Sequence, residues 1–129
     1  MDGGRRASGS RVLARLRTPV RGDIYGATVP VRDGEERKIV LIVSRDTLNE
    51  VGMNVILARL TSQQRHRDLP TTVEVHPSDE NGLAATSFVL CHDVLTQPQT
   101  VLDPRPKGRL ELQELLLVGD ALRYALAIE

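Results

Sequence analysis

Two apolar runs, residues 37–43 and 54–60, constrain this chain more than any other feature. The first is Arg37-Lys38-Ile39-Val40-Leu41-Ile42-Val43 and the second Asn54-Val55-Ile56-Leu57-Ala58-Arg59-Leu60. Runs this short and this rich in β-branched residues and leucine suit strands rather than helices. Continuous rather than alternating apolarity suits strands buried on both faces. Polar groups mark their ends: Arg37 opens the first run, Thr61-Ser62 closes the second, and the cationic loop Arg65-His66-Arg67 follows. Rigid strands with polar tips are a platform on which side chains can be held for chemistry.

The rest of the chain builds a sheet around that pair. An Arg-Gly-Asp turn (21–23) leads into a strand through Val29. Pro30 and the charged stretch 31–36 make a loop, with Asp33-Gly34 as its tightest turn signal. Ser44 is the expected N-cap of one or two helical turns over 45–50, with Asn49 to Gly52 as the exit. Thr71 to His76 alternates cleanly and reads as a strand, 77–82 as a loop, and Ser87 to Cys91 as another buried strand. Val94 to Leu102 adds a short one, weakened by Pro98. From Leu110 the period changes: Leu112, Leu115, Leu116, Val118, Ala121, Leu122, Ala125 and Leu126 recur at helical spacing. The chain is therefore expected to be mainly β, a compact antiparallel barrel-like sheet with short helices and one C-terminal α-helix.

Composition excludes several classes. No apolar run approaches the ~20 residues needed to cross a bilayer as a helix, and the charged N-terminus lacks the apolar core of a secretory signal. A single cysteine, Cys91, rules out an internal disulfide and fits a reducing cytoplasm. One cysteine and three scattered histidines give no metal-ligand spacing, so neither a metal nor another cofactor is expected. The formal charge of zero conceals an asymmetry. Residues 1–21 carry six arginines against Asp2, 6 − 1 = +5, and the remaining 11 basic and 16 acidic residues give −5. Residues 1–20 are expected to be a basic, flexible extension, and 21–129 the folded domain. A basic arm can also attract nucleic acid.

Several of these segments, in this order, resemble the MazF/PemK-type toxins of bacterial toxin–antitoxin pairs. They are Arg-Gly-Asp-Ile-Tyr (21–25), the Arg37-led strand ending Ile-Val-Ser (42–44), Asn49, Ala-Arg-Leu-Thr-Ser (58–62), Pro-Thr-Thr-Val (70–73) and Val-Leu-Cys (89–91). The resemblance spans about 21–128. It implies an SH3-like barrel that dimerises, and a metal-independent endoribonuclease that cuts single-stranded RNA at short motifs. It also implies a cognate antitoxin as partner, with DNA contacted only through the antitoxin complex. The family's catalytic arginine opening the second strand and threonine ending the third fall on Arg37 and Thr61. Departures are visible. Where some members carry an arginine and an acid around the cysteine-like position, this chain has Leu90 and His92, with Asp93 following. Leu95 replaces a later arginine, and Lys38 stands where proline commonly follows the first arginine.

The chemistry such a site must perform can be argued from the residue types. Without a metal, the ribose 2′-hydroxyl attacks the adjacent phosphate. That needs a proton acceptor, a proton donor for the leaving 5′-oxygen, and donors for the non-bridging oxygens. Arg37 supplies a permanently charged planar fork suited to phosphate, and the Thr61 hydroxyl adds a donor. Imidazole takes a proton near neutral pH, so His92 is the candidate base, with Asp93 serving or orienting it. Arg59, Ser62, Arg65 and Arg67 are candidates for holding flanking RNA. Aromatic residues make up only 2% of the chain, too few for a binder that stacks bases.

Plainer readings stand beside each of these. Thr61 is also a good strand former, Cys91 a small buried hydrophobe, His66 and its neighbours a solvated loop, and His76 structural. The leucines of the terminal helix are packing, part of that face being suited to a dimer. Two rival functions remain at this point. One is a gyrase-poisoning toxin of the CcdB type, against which the absence of tryptophan counts. The other is a catalytically silent RNA- or DNA-binding module of the same fold.

Overall fold

The computed structural model describes residues 17–129; most of the basic extension, residues 1–16, lies outside the described residues. Six strands form one antiparallel sheet: β1 (Asp23–Val31), β2 (Gly34–Ile42), β3 (Asn54–Thr61), β4 (Thr72–Val75), β5 (Ser87–Pro98) and β6 (Gly108–Arg109). Their spatial order is β4-β5-β3-β2-β1-β6. Helix α1 (Asp46–Val51) links β2 to β3, and helix α2 (Leu112–Leu126) closes the chain. Single 3₁₀ turns occupy Gln64–His66 and Gln99–Val101.

The two apolar runs form the adjacent central strands β2 and β3, paired from Ile39↔Leu60 to Ile42↔Leu57. Successive residues feed two cores, as alternation in a sheet covered on both sides requires. Leu41, Ala58 and Leu60 join Ile24, Val89 and Val118 of α2 in one cluster. Val40, Ile42 and Leu57 join Tyr25, Val29 and Leu102 in the other. The double burial stops short of the first run's start: residues 34–37 of β2 are exposed. Arg37 therefore lies where the strand leaves the core. Among the described residues, no helix is long and apolar enough to cross a membrane.

Four local expectations change. The charged 31–36 segment is not an open loop; β1 and β2 run together until Val31 pairs with Gly34, leaving only Arg32 and Asp33 to turn. Gly34 takes φ +119°, a conformation costly for any residue with a Cβ. Ser44 does not cap α1. Its hydroxyl donates to Asn49 Oδ1 at 2.5 Å and accepts from the Ile56 N–H at 3.0 Å. Asn49 is 1% exposed and also donates to the Pro19 carbonyl, so it ties residues 19, 44 and 56 together rather than ending a helix. Finally, residues 87–98 form one strand, not two. Its ladder with β3 jumps from Arg59↔Leu90 to Ala58↔Val94, leaving Cys91, His92 and Asp93 as a bulge, and Pro98 sits harmlessly at the end of the strand.

Candidate active site

Arg37 stands near the tip of the β1–β2 hairpin, directly across from Thr28. Its guanidinium donates through Nη1 and Nη2 to the two carboxylate oxygens of Asp103, at 2.9 and 2.6 Å, and through Nη1 to Thr28 Oγ1 at 3.2 Å. The side chain stays 59% exposed and that of Asp103 39%. The Asp103 hydrogen bonds and charge hold the arginine firmly in its protonated form, above its already high ordinary pKa. Such a doubly bonded pair fixes the plane of the guanidinium.

Thr61 closes β3 just beyond the last β2–β3 rung, Ile39↔Leu60. Its Oγ1 accepts from the Gln63 N–H at 3.2 Å, turning the chain toward the 3₁₀ segment. No hydrogen bond joins Arg37 to Thr61 among the described residues. Ser62 next to it is exposed.

The bulge in β5 presents a second group. His92 is exposed, and its Nδ1 lies 2.7 Å from Thr71 Oγ1. Its ring stacks loosely on His66, centroids 6.5 Å apart and planes 30° from parallel. Asp93 faces Arg59 instead, with Oδ2 3.7 Å from Nε. The same arginine reaches the Pro30 carbonyl at 3.4 Å, and only 22% of its side chain is exposed. Asp93 thus pairs with an arginine across the sheet and does not orient His92.

The cationic loop divides by role. Arg67 is committed to the protein: it holds Glu74 through two bonds of 3.0 and 3.1 Å, binds Gln64 Oε1, and covers the Phe88 ring at 5.5 Å. Arg65 is exposed and bonds to none of the described residues. Among the described residues, no group of three or more His, Cys, Asp or Glu side chains could hold a metal ion.

The sequence reading missed Thr28 and Asp103. Thr28 could have been found: a two-residue turn at 32–33 fixes the hairpin register and sets it opposite Arg37. Asp103 has no such local signal. It lies 66 residues from Arg37 and arrives because the segment after β5 returns along β1, with Leu102 bridged to Ala27.

The architecture is found in one group of proteins. Residues 20–126 match the family described as the PemK-like, MazF-like toxin of type II toxin–antitoxin systems. The chain belongs to that family. Solved structures agree. An endoribonuclease from a Mycobacterial species superposes with a TM-score of 0.71 at 26% identity, covering 88% of this chain and 95% of that one. A Mycobacterial endoribonuclease in complex with its cognate antitoxin gives 0.71 at 28% identity, covering 86% and 97%. The Mycobacterium tuberculosis toxin MazF-mt6 gives 0.69 at 28%, covering 83% and 98%. None of the curated proteins compared matches the chain. Membership accounts for the sheet order: the mainly β, SH3-like barrel with a C-terminal helix is the architecture of these toxins.

Proposed function

We propose that this toxin is an endoribonuclease that cuts single-stranded RNA without a metal, using the ribose 2′-hydroxyl as nucleophile and leaving a 2′,3′-cyclic phosphate. The observation that carries the reading is the exposed, doubly anchored guanidinium of Arg37, in a chain whose relatives of nearly equal length include endoribonucleases. Arg37 neutralises charge on the non-bridging oxygens as the phosphorane forms and hydrogen-bonds the departing 5′-oxygen, which takes a proton from water while the 2′-hydroxyl proton leaves through His92. Thr61 is the neighbouring hydroxyl donor. His92 is the proton acceptor, with Nδ1 held by Thr71 and Nε2 left for the 2′-hydroxyl. Asp93 contributes to charge balance through Arg59. Arg65 guides the flanking phosphates; Ser62, Arg59 and Arg67 support the same path, Arg67 chiefly by shaping the loop.

The antitoxin-bound relative supports a cognate antitoxin as this toxin's partner. The working form is a homodimer in the cytoplasm, touching DNA only through the antitoxin complex.

The test is direct. Purified protein incubated with a panel of single-stranded RNAs in EDTA should give fragments ending in 2′,3′-cyclic phosphate. Arg37→Ala should slow cleavage by about 10²–10³-fold, the loss typical of removing one preorganised donor to a transition-state oxyanion. Undiminished cleavage by Arg37→Ala would exclude the site. Inhibited DNA supercoiling with intact RNA would favour the gyrase-poison reading.

A further inference from the structure

Arg37 has five N–H donors, and the protein itself engages three of them. Two form the parallel pair of bonds to Asp103, and a second Nη1 hydrogen goes to Thr28. Nε–H and the remaining Nη2–H are left. These two lie side by side along one edge of the planar guanidinium and make up the second fork that arginine offers to an oxyanion. No described residue takes either.

The carboxylate that fills the first fork is planted by the backbone. The Asp103 N–H donates to the Gly26 carbonyl at 2.9 Å, and Leu102 before it is buried. Gly26 leaves space above β1 for both partners. A Cβ at that position would come 2.5 Å from Asp103 Oδ2 and 2.8 Å from Arg37 Nη2. The arginine is thus clamped by its outer fork over a residue without a side chain, with its inner edge free.

We infer that Asp103 is the positioning residue of the phosphate site, holding Arg37 so that its Nε–Nη2 edge meets the scissile phosphate of RNA. This rests on the assignment of Arg37 to the phosphate. Asp103 does not compete with the substrate, because the two oxyanions use different forks of one guanidinium. A long arginine chain left alone would have to be ordered each time RNA bound; here that ordering precedes binding. The pair is solvent-exposed, and ion pairs of that kind contribute little to folding. Loss of Asp103 is therefore felt in the chemical step.

Single-turnover cleavage of one RNA oligonucleotide, with protein in excess, tests this. The series is wild type, Asp103→Ala, Asp103→Asn, Gly26→Ala, Arg37→Ala and the Arg37→Ala/Asp103→Ala double variant. Asp103→Ala should lower the saturating rate by about ten- to a hundredfold, the scale of loss that misplacing a reacting group by an ångström can cause. RNA affinity should change much less. Asp103→Asn, of the same shape but able to keep only one accepting oxygen, should fall between it and wild type. Gly26→Ala keeps both charged residues, and its methyl displaces two side-chain ends rather than backbone, so it should slow cleavage too. The double variant should be no slower than Arg37→Ala, because Asp103 acts through Arg37. A wild-type or faster rate in Asp103→Ala would overturn the inference, as would a double variant slower than Arg37→Ala by the full Asp103→Ala factor. Should Asp103→Ala fail to fold, Asp103→Asn and Gly26→Ala decide the question. An Arg37→Ala protein as fast as wild type gives a different pattern, which removes the phosphate assignment itself.

Discussion

Cys91 lies in the bulge of β5, 1% exposed and packed under α2, with Sγ 3.9 Å from the Val118 carbonyl. Removal from water penalises the thiolate and pushes the thiol from its ordinary 9.0 up to about 11. The native thiol is therefore protonated and unreactive at neutral pH, which rules it out as the nucleophile beside His92. The sign of the linkage follows. The folded state holds this proton more tightly than the unfolded chain, so the stabilisation is complete below pH 9 and is lost as pH rises toward about 11. The loss amounts to about 3 kcal/mol at most. Denaturant midpoints measured between pH 8 and 11 should fall over that upper range, and Cys91→Ser should flatten the contribution. Alkylation at pH 8 offers a second check: it should be slow in the native protein and fast in denaturant. Rapid native labelling would mean that the bulge opens readily. Neighbouring His92 has the opposite circumstances, exposed and held at one nitrogen, as the proton-acceptor role proposed for it requires.

Among the elements, the connection between the two central strands does more than its length suggests. Six residues of α1 cannot be stable as an isolated helix; the Ser44–Asn49 pair anchors them to β3 and to Pro19. Asn49→Ala would strand the Pro19 carbonyl and the Ser44 hydroxyl in a buried site, and should destabilise the fold by about 1–3 kcal/mol. Thermal or urea unfolding would read this out, and a change below about 0.5 kcal/mol would mean that water replaces the amide. The same elements show what can be read from a sequence. The central strands were legible because continuous β-branched runs have few alternatives, and α2 was legible because its leucines keep helical spacing. Ser44 preceding a helix looked like a cap because capping is the local use of such a residue; the competing use, a hydrogen bond to β3 at Ile56, is tertiary and leaves no local mark. The three-residue bulge at 91–93 was likewise hidden. Its cause is a change in ladder register between β3 and β5, which a single run of residues does not reveal. Arg37 and Thr61 stand out in the sequence as polar ends of apolar runs, although β2 itself begins three residues earlier at Gly34; the carboxylate that bonds Arg37 depends on a return of the chain 66 residues later.

At the scale of the whole molecule, a neutral total hides a folded part whose charge works against the substrate. Leaving out residues 1–16, which hold four arginines and one aspartate, residues 17–129 carry 17 − 4 = 13 basic and 17 − 1 = 16 acidic residues, a balance of −3. A polyanion is not drawn to such a body by its overall field, and beyond about 8 Å salt screens much of what remains. Binding must come from a few arginines at short range. Of those on the proposed path, Arg67 has all three of its nitrogens engaged by Glu74 and Gln64, and Arg59 is mostly buried against Asp93. Arg37 through its free edge and Arg65 through its whole head are left. Each phosphate neutralised on a single strand adds about 0.7 to the slope of log affinity against log salt, so two contacts predict a slope near −1.4 for residues 17–129. Arg65→Ala should bring this to about −0.7 and weaken binding alike for cleavable and non-cleavable sequences, because a phosphate contact carries no base information. Fluorescence anisotropy with two labelled RNAs across a salt series measures both quantities. A slope unchanged by Arg65→Ala would remove the 65–67 loop from the RNA path. A slope much steeper than −1.4 would require cations from elsewhere, such as a second copy of the chain contributing to the same groove.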